Sequence, residues 1–145
     1  MEIEFIYRVI VGIVIGIQTY WDIKRKEIPS LVSVVGGGIG IVFCFVLERS
    51  GTDVILSLMP GAFCLLYGGL TREAIGFGDG ILLCVMGLFY DVEHLLWICM
   101  SAWIFVGMVA LWLLLIVHKK RDYTIPFVPF LLLGWSLEIL LHMGG

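Results

Sequence analysis

Six stretches of apolar residues, each closed off by charge, divide this chain. They run roughly from Phe5 to Trp21, Leu31 to Leu47, Val54 to Leu70, Ile75 to Tyr90, Leu95 to Val117 and Tyr123 to Leu141. Each approaches or reaches the ~17–25 mostly apolar residues that a bilayer-spanning helix needs. The pattern predicts an all-α, polytopic membrane protein of about six transmembrane helices, joined by connections of a few residues. No linker, low-complexity segment or internal repeat divides the chain, so one membrane-embedded domain over 1–145 is expected. The fourth run is the exception. The 11 residues between Asp79 and Asp91 rise only ~17 Å as helix, against a hydrocarbon core of about 30 Å. Either this helix starts before Asp79 and carries the acid into the membrane, or it is short and surrounded by protein.

Composition agrees with the pattern. The 145 residues are 61% hydrophobic and 14% charged, where a soluble domain carries about 25% charged residues. No basic stripe suggests nucleic acid. The acidic start, "MEIEF", is followed by no small-residue cleavage site, so the first run is expected to remain in the protein. Cys44, Cys64, Cys84 and Cys99 are isolated and form no C-x-x-C pair, which points to buried thiols rather than zinc or disulfides. His94, His118 and His142 lie at span ends without ligand spacing, and no metal is expected. Glu138, in the last run, is expected to snorkel or pair near the outer surface.

Charge sets the expected orientation. With the N-terminus outside, the first, third and fifth connections hold Lys24, Arg25, Lys26, Arg72, Lys119, Lys120 and Arg121, seven of the nine basic residues. The positive-inside rule then places those connections in the cytoplasm and both termini outside. Gly12 with Gly16, and Gly36 with Gly40, are spaced as small-x-x-x-small faces that let membrane helices approach closely.

Two acids stand at the same predicted face. Asp22 closes the first run in "YWDIKRKEIPS", and Asp79 opens the fourth in "AIGFGDGILLC". An ionisable residue at this depth faces the bundle interior or a water-filled cavity, because lipid exposure costs several kcal/mol. If both face inward they meet, and two carboxylates sharing a site hold one proton between them. One then serves as base toward water and the other as acid toward a scissile carbonyl, which is aspartic-protease chemistry. Gly76, Gly78 and Gly80 would give backbone, water or an extended substrate close access and permit positive φ. The same stretch also reads as a glycine-rich turn with Asp79 capping a helix.

These residues resemble a known family. "DIKRKEIPS", with Asp22 seven residues before Pro29, the G-x-G-D motif of "GFGDG", and "IPFVPFLLLGW" together are similar to segments of the prepilin peptidases. The resemblance implies that Asp22 and Asp79 are the catalytic aspartates, that Ile28, Pro29, Gly76 and Gly78 belong to the conserved motifs, and that no metal or cofactor is needed. It implies cleavage of a short basic leader from type IV pilin-like or pseudopilin-like precursors at the cytoplasmic face of a bacterial plasma membrane. Glu27 and Glu73 would flank a basic leader, and Pro126 and Pro129 would fix the first turn of the last helix. Three positions depart from the family pattern: Ser30, Ile81, where the family often has Lys, and Val128, where it often has Gly. The chain looks like a short form without the cysteine-rich region of larger members, so no methyltransferase activity is expected. From another class, a small transporter or assembly protein could use the same acids for proton relay or helix pairing. Processing of a pilin-like precursor separates the two readings.

Overall fold

The computed structural model describes residues 2–25, 29–71, 76–117 and 125–143. Every regular element among them is a helix: α1 (Glu2–Arg25), α2 (Ser30–Val46), α3 (Gly51–Thr71), α4 (Phe77–Phe89), α5 (Val92–Leu115) and α6 (Val128–Met143). α1, α3 and α5 are long and apolar enough to cross a membrane, while α2, α4 and α6 are shorter apolar helices. The six apolar runs thus each become one helix, with two adjustments. α1 continues through Arg25, so Asp22 sits inside its last turn, where Lys24 and Arg25 favour the negative end of the helix dipole. α6 starts at Val128 rather than near Tyr123, and residues 118–124 lie outside those described.

The helices neighbour one another in the order α1, α2, α4, α3, α5, α6 and back to α1. α4 also reaches α1 and α5. Its 13 residues bury Gly80, Leu82, Leu83, Val85, Met86, Gly87 and Phe89. The 24 residues of α5 bury only Leu95, Ile98, Cys99 and Ala102. The ambiguous fourth run is therefore the short helix enclosed by protein. The other five helices carry the apolar outer surface, with Phe5, Ile13, Phe45, Phe63, Trp103 and Leu140 all exposed. Such a surface would be anomalous in water and is ordinary against acyl chains, where helices associate by close packing rather than by hydrophobic burial.

Glycine makes that packing possible around α4. A Cβ on Gly61 of α3 would collide with the backbone of Cys84, one on Gly80 with Leu65, and one on Gly87 with the Ser57 carbonyl. On α2, Gly36 and Gly40 lie against Val85 and Leu88. Gly12 of α1 accepts the Trp135 ring, whereas Gly16 faces open space and has no packing partner.

The last carbonyls of a helix have no partner within it, and a buried one left unpaired is costly. The C-terminal carbonyls of α4 are met by side chains from α2, α3 and the turn between them. Arg49 Nη1 donates to Gly87 O at 3.0 Å and Leu88 O at 3.1 Å, and Nη2 donates to Tyr90 O at 3.2 Å. Ser57 Oγ donates to Gly87 O at 2.7 Å, and Cys44 Sγ to Leu88 O at 3.1 Å. The α2–α3 turn aims Arg49. Glu48 takes φ 49°, Glu48 N–H bonds Phe45 O, and Arg49 N–H bonds Cys44 O. This is a Schellman ending with a non-glycine residue in the left-handed position.

Candidate active site

Helix periodicity brings Asp22 inward. Val11, Ile15, Gln18 and Asp22 recur at the spacing of one helical face and are all buried. Asp22 is 8% exposed, and its Oδ2 accepts the backbone N–H of Val128 at 3.1 Å. Val128 is the first residue of α6, so this N–H has no partner within its own helix. The start of α6 therefore supplies both a donor and the positive end of a helix dipole to the acid.

Asp79 occupies the first turn of α4, three residues after Gly76, the N-cap residue. Its N–H donates to Gly76 O at 3.0 Å, and its carboxylate folds back over that residue. A Cβ on Gly76 would stand 3.0 Å from Asp79 Oδ2. Asp79 is half-buried, and Asp22 lies within its electrostatic reach. Each acid thus meets the N-terminal end of a helix, α6 for Asp22 and α4 for Asp79.

One turn deeper on α1 the polar stripe continues. Gln18, fully buried, donates from Nε2 to Ser33 Oγ of α2 at 2.9 Å. The Gln18 carbonyl oxygen and the Thr19 hydroxyl, both buried, have no hydrogen-bond partner among the described residues. Gln18 and Ser33 were not singled out from sequence. The available signal was a lone amide one turn before Asp22 on an otherwise apolar helix.

The other candidate residues divide by placement. Pro29 is the extended N-cap of α2, and its carbonyl accepts the N–H groups of Val32 and Ser33. Pro129 lies in the first turn of α6, and Pro126 precedes the helix by two residues. Gly78 is half-buried in the first turn of α4. Gly80 faces Leu65 of α3, so its missing Cβ serves helix contact rather than access to the acids. No described glycine takes a positive φ, so the backbone freedom expected of this motif is not used. Glu27, Ile28 and Glu73 lie outside the described residues. Lys24 lies over Tyr20 and Arg25 over Trp21, at 5.3 and 4.7 Å from the ring centroids, which suits aromatic residues anchoring a membrane interface.

Sequence comparison decides what this arrangement belongs to. A model of the type IV leader peptidase family matches residues 9–111. The chain belongs to the type IV leader peptidase family. Neither a curated protein nor a solved structure matches it. Membership makes it a multi-pass membrane prepilin peptidase, an aspartic-type endopeptidase, and the transporter or scaffold reading gives way. The match includes both acids but stops before "IPFVPF", and the Val128–Asp22 hydrogen bond brings that third segment to the same place. The bond uses backbone N–H, so the departure from glycine at Val128 leaves it intact, while the side chain is fully buried in the core. Of the two sequence-level expectations for Glu138, pairing is the one the structure shows: the residue is 4% exposed and lies against two histidines rather than snorkelling. His94 and His142, far apart in sequence, meet there.

Proposed function

We propose that Asp22 and Asp79 are the catalytic pair that removes the short basic leader from type IV pilin-like precursors, at the cytoplasmic face of the membrane. One observation carries the reading: two acids from different helices lie within electrostatic reach at one end of the bundle, with the start of α6 bonded to one of them. In this mechanism one carboxylate removes a proton from water as the water attacks the scissile carbonyl. The other, protonated, gives its proton to the carbonyl oxygen, and the resulting tetrahedral species collapses with proton transfer to the leaving amine. Val128 N–H holds the Asp22 carboxylate in place, and the open space at Gly76 lets the Asp79 carboxylate fold back over its own helix start. In sequence, seven of the nine basic residues fall in the last turn of α1 or in the connections that follow α1, α3 and α5, which supports a cytoplasmic site with both termini outside. Glu27 and Glu73 flank that end in sequence and offer opposite charge to a basic leader.

The test is separate Asp22→Asn and Asp79→Asn variants, assayed for processing of a pilin-like precursor in membranes at matched protein level. Each is expected to lose about 10²–10⁴-fold in rate, the range of a positioned acid or base. Processing near the unmutated rate in either variant would end the two-aspartate account.

A further inference from the structure

The opposite end of the bundle holds a polar cluster that hydrolysis at Asp22 and Asp79 does not use. His94 lies in the first turn of α5, while Glu138 and His142 stand four residues apart on α6. Because α5 and α6 pack side by side, the three side chains meet. Glu138 Oε1 is 3.9 Å from His94 Nε2 and 3.5 Å from His142 Nδ1. His142 Nδ1 also lies 3.2 Å from the Glu138 backbone carbonyl, so it can serve as a ligand only in the tautomer that carries its proton on Nε2, with that hydrogen bond given up. One ligand atom from each residue lies within 4.8 Å of the other two. Helix rise sets Glu138 and His142 roughly 15 and 21 Å along α6 from the Val128 end, so this cluster is separate from the aspartates.

Two further features indicate a ligand. The Glu138 side chain is 2% exposed, yet neither of its oxygens has a hydrogen-bond partner among the described residues. A buried carboxylate in that condition is costly unless a cation compensates it. Arg8 and Tyr90 lie within electrostatic reach of it but do not bond it. His94 Nδ1, in turn, bonds Asp91 Oδ1 at 2.9 Å. A proton on Nδ1 leaves the lone pair on Nε2, the atom that faces Glu138. A carboxylate behind an imidazole in this way is the usual support for a metal-ligating histidine. Tetrahedral zinc with bonds of about 2.0–2.1 Å sets its ligand atoms roughly 3.3–3.4 Å apart. The 3.5 and 3.9 Å separations from Glu138 are near that value, while the histidine nitrogens, within 4.8 Å of each other, must close in by rotation of their exposed rings.

We propose that His94, Glu138 and His142 form a divalent-cation site of the zinc class, with Asp91 orienting His94, at the end of the bundle away from the aspartates. Two imidazoles and a carboxylate suit zinc and leave a fourth position for water. The His94 and His142 side chains are 31% and 47% exposed, so an ion can enter from the surface. Bound there, it ties α6 to α5, and α6 is the helix whose first residue holds Asp22.

The test is Zn²⁺ binding to the full chain, purified in detergent and stripped with chelator, measured by equilibrium dialysis, with Co²⁺ absorption as a report on geometry. The expected result is one Zn²⁺ per chain and a tetrahedral Co²⁺ spectrum. Asp91→Asn should weaken binding ~10–100-fold, as expected for loss of a group that orients a ligand. Glu138→Gln should weaken it more than Asp91→Asn does. If Glu138→Gln does not fold, His142→Ala, which alters a half-exposed side chain, is held to the same criterion. Substoichiometric binding by the unmutated chain overturns the proposal, since the three side chains are then only a polar contact between α5 and α6. Unchanged affinity in the ligand variant overturns it as well.

Discussion

At its C-terminal end α4 is closed by donors from three other segments, whereas its N-terminal end presents an acid and a bare glycine. Gly87, Leu88 and Tyr90 give their carbonyls to Arg49, with Ser57 and Cys44 assisting. At the other end Gly76 provides no side-chain cap and leaves room for the Asp79 carboxylate. Both ends belong to one 13-residue helix too short to reach two membrane surfaces. The contrast teaches how a short intramembrane helix can carry chemistry. One terminus is fixed by satisfied hydrogen bonds, and the other holds Asp79, the acid proposed for catalysis. Stability and activity should therefore separate by position along α4.

The largest effect is expected from Arg49→Met, which keeps an unbranched apolar stem and removes the donors. Ser57 and Cys44 still donate to Gly87 O and Leu88 O, so Tyr90 O is the carbonyl that loses its donor, at about 1–3 kcal/mol, and thermal stability in detergent should fall clearly. The folded fraction should still cleave precursor with a near-normal KM. A normal melting temperature would show that Arg49 does not secure this end.

Gly76→Ala probes the other end. Its Cβ would press on Asp79 Oδ2 from 3.0 Å, tighter than ordinary contact, and should turn the carboxylate away. A drop in kcat of about tenfold, equivalent to ~1.4 kcal/mol, is expected with little change in melting temperature. Equal losses of stability and activity would erase the proposed division between the two ends.

Glu48→Gly should give the smallest effect, and of opposite sign. The left-handed conformation at Glu48 costs a non-glycine residue roughly 1–2 kcal/mol. Glycine relieves that but adds unfolded-chain entropy, so a gain below ~1 kcal/mol is expected from thermal denaturation. A loss would mean that the Glu48 side chain supports the turn beyond its backbone geometry.

Much of the site was legible before any fold. Asp22 and Asp79 could be placed at the same membrane face from charge and apolar runs alone, because both are local properties. That Asp22 shares a buried face with Val11, Ile15 and Gln18 came from the structure. The short interval between Asp79 and Asp91 already showed that the fourth run fits a membrane poorly. Arg49 was not legible in this role. In sequence it is one of two basic residues on the sparse side, and nothing local tells that a left-handed turn points it at a helix 38 residues away. The cluster of His94, Glu138 and His142 was missed for a related reason. Only Glu138 and His142 share a helix face, and His94 joins them through the α5–α6 contact.

The sequence by itself determined the membrane class, the six helices, the family and the two acids, because hydrophobic runs, helical period and short motifs are written in neighbouring residues. Only the tertiary structure decided that α4 is enclosed by the other helices and that α6 begins by donating to Asp22. It also decided that a buried glutamate meets two histidines at the far end. Those outcomes depend on which helices lie side by side, and that is set by close backbone approach at Gly36, Gly61, Gly80 and Gly87, where the helix that will fill the space is named nowhere nearby in the chain.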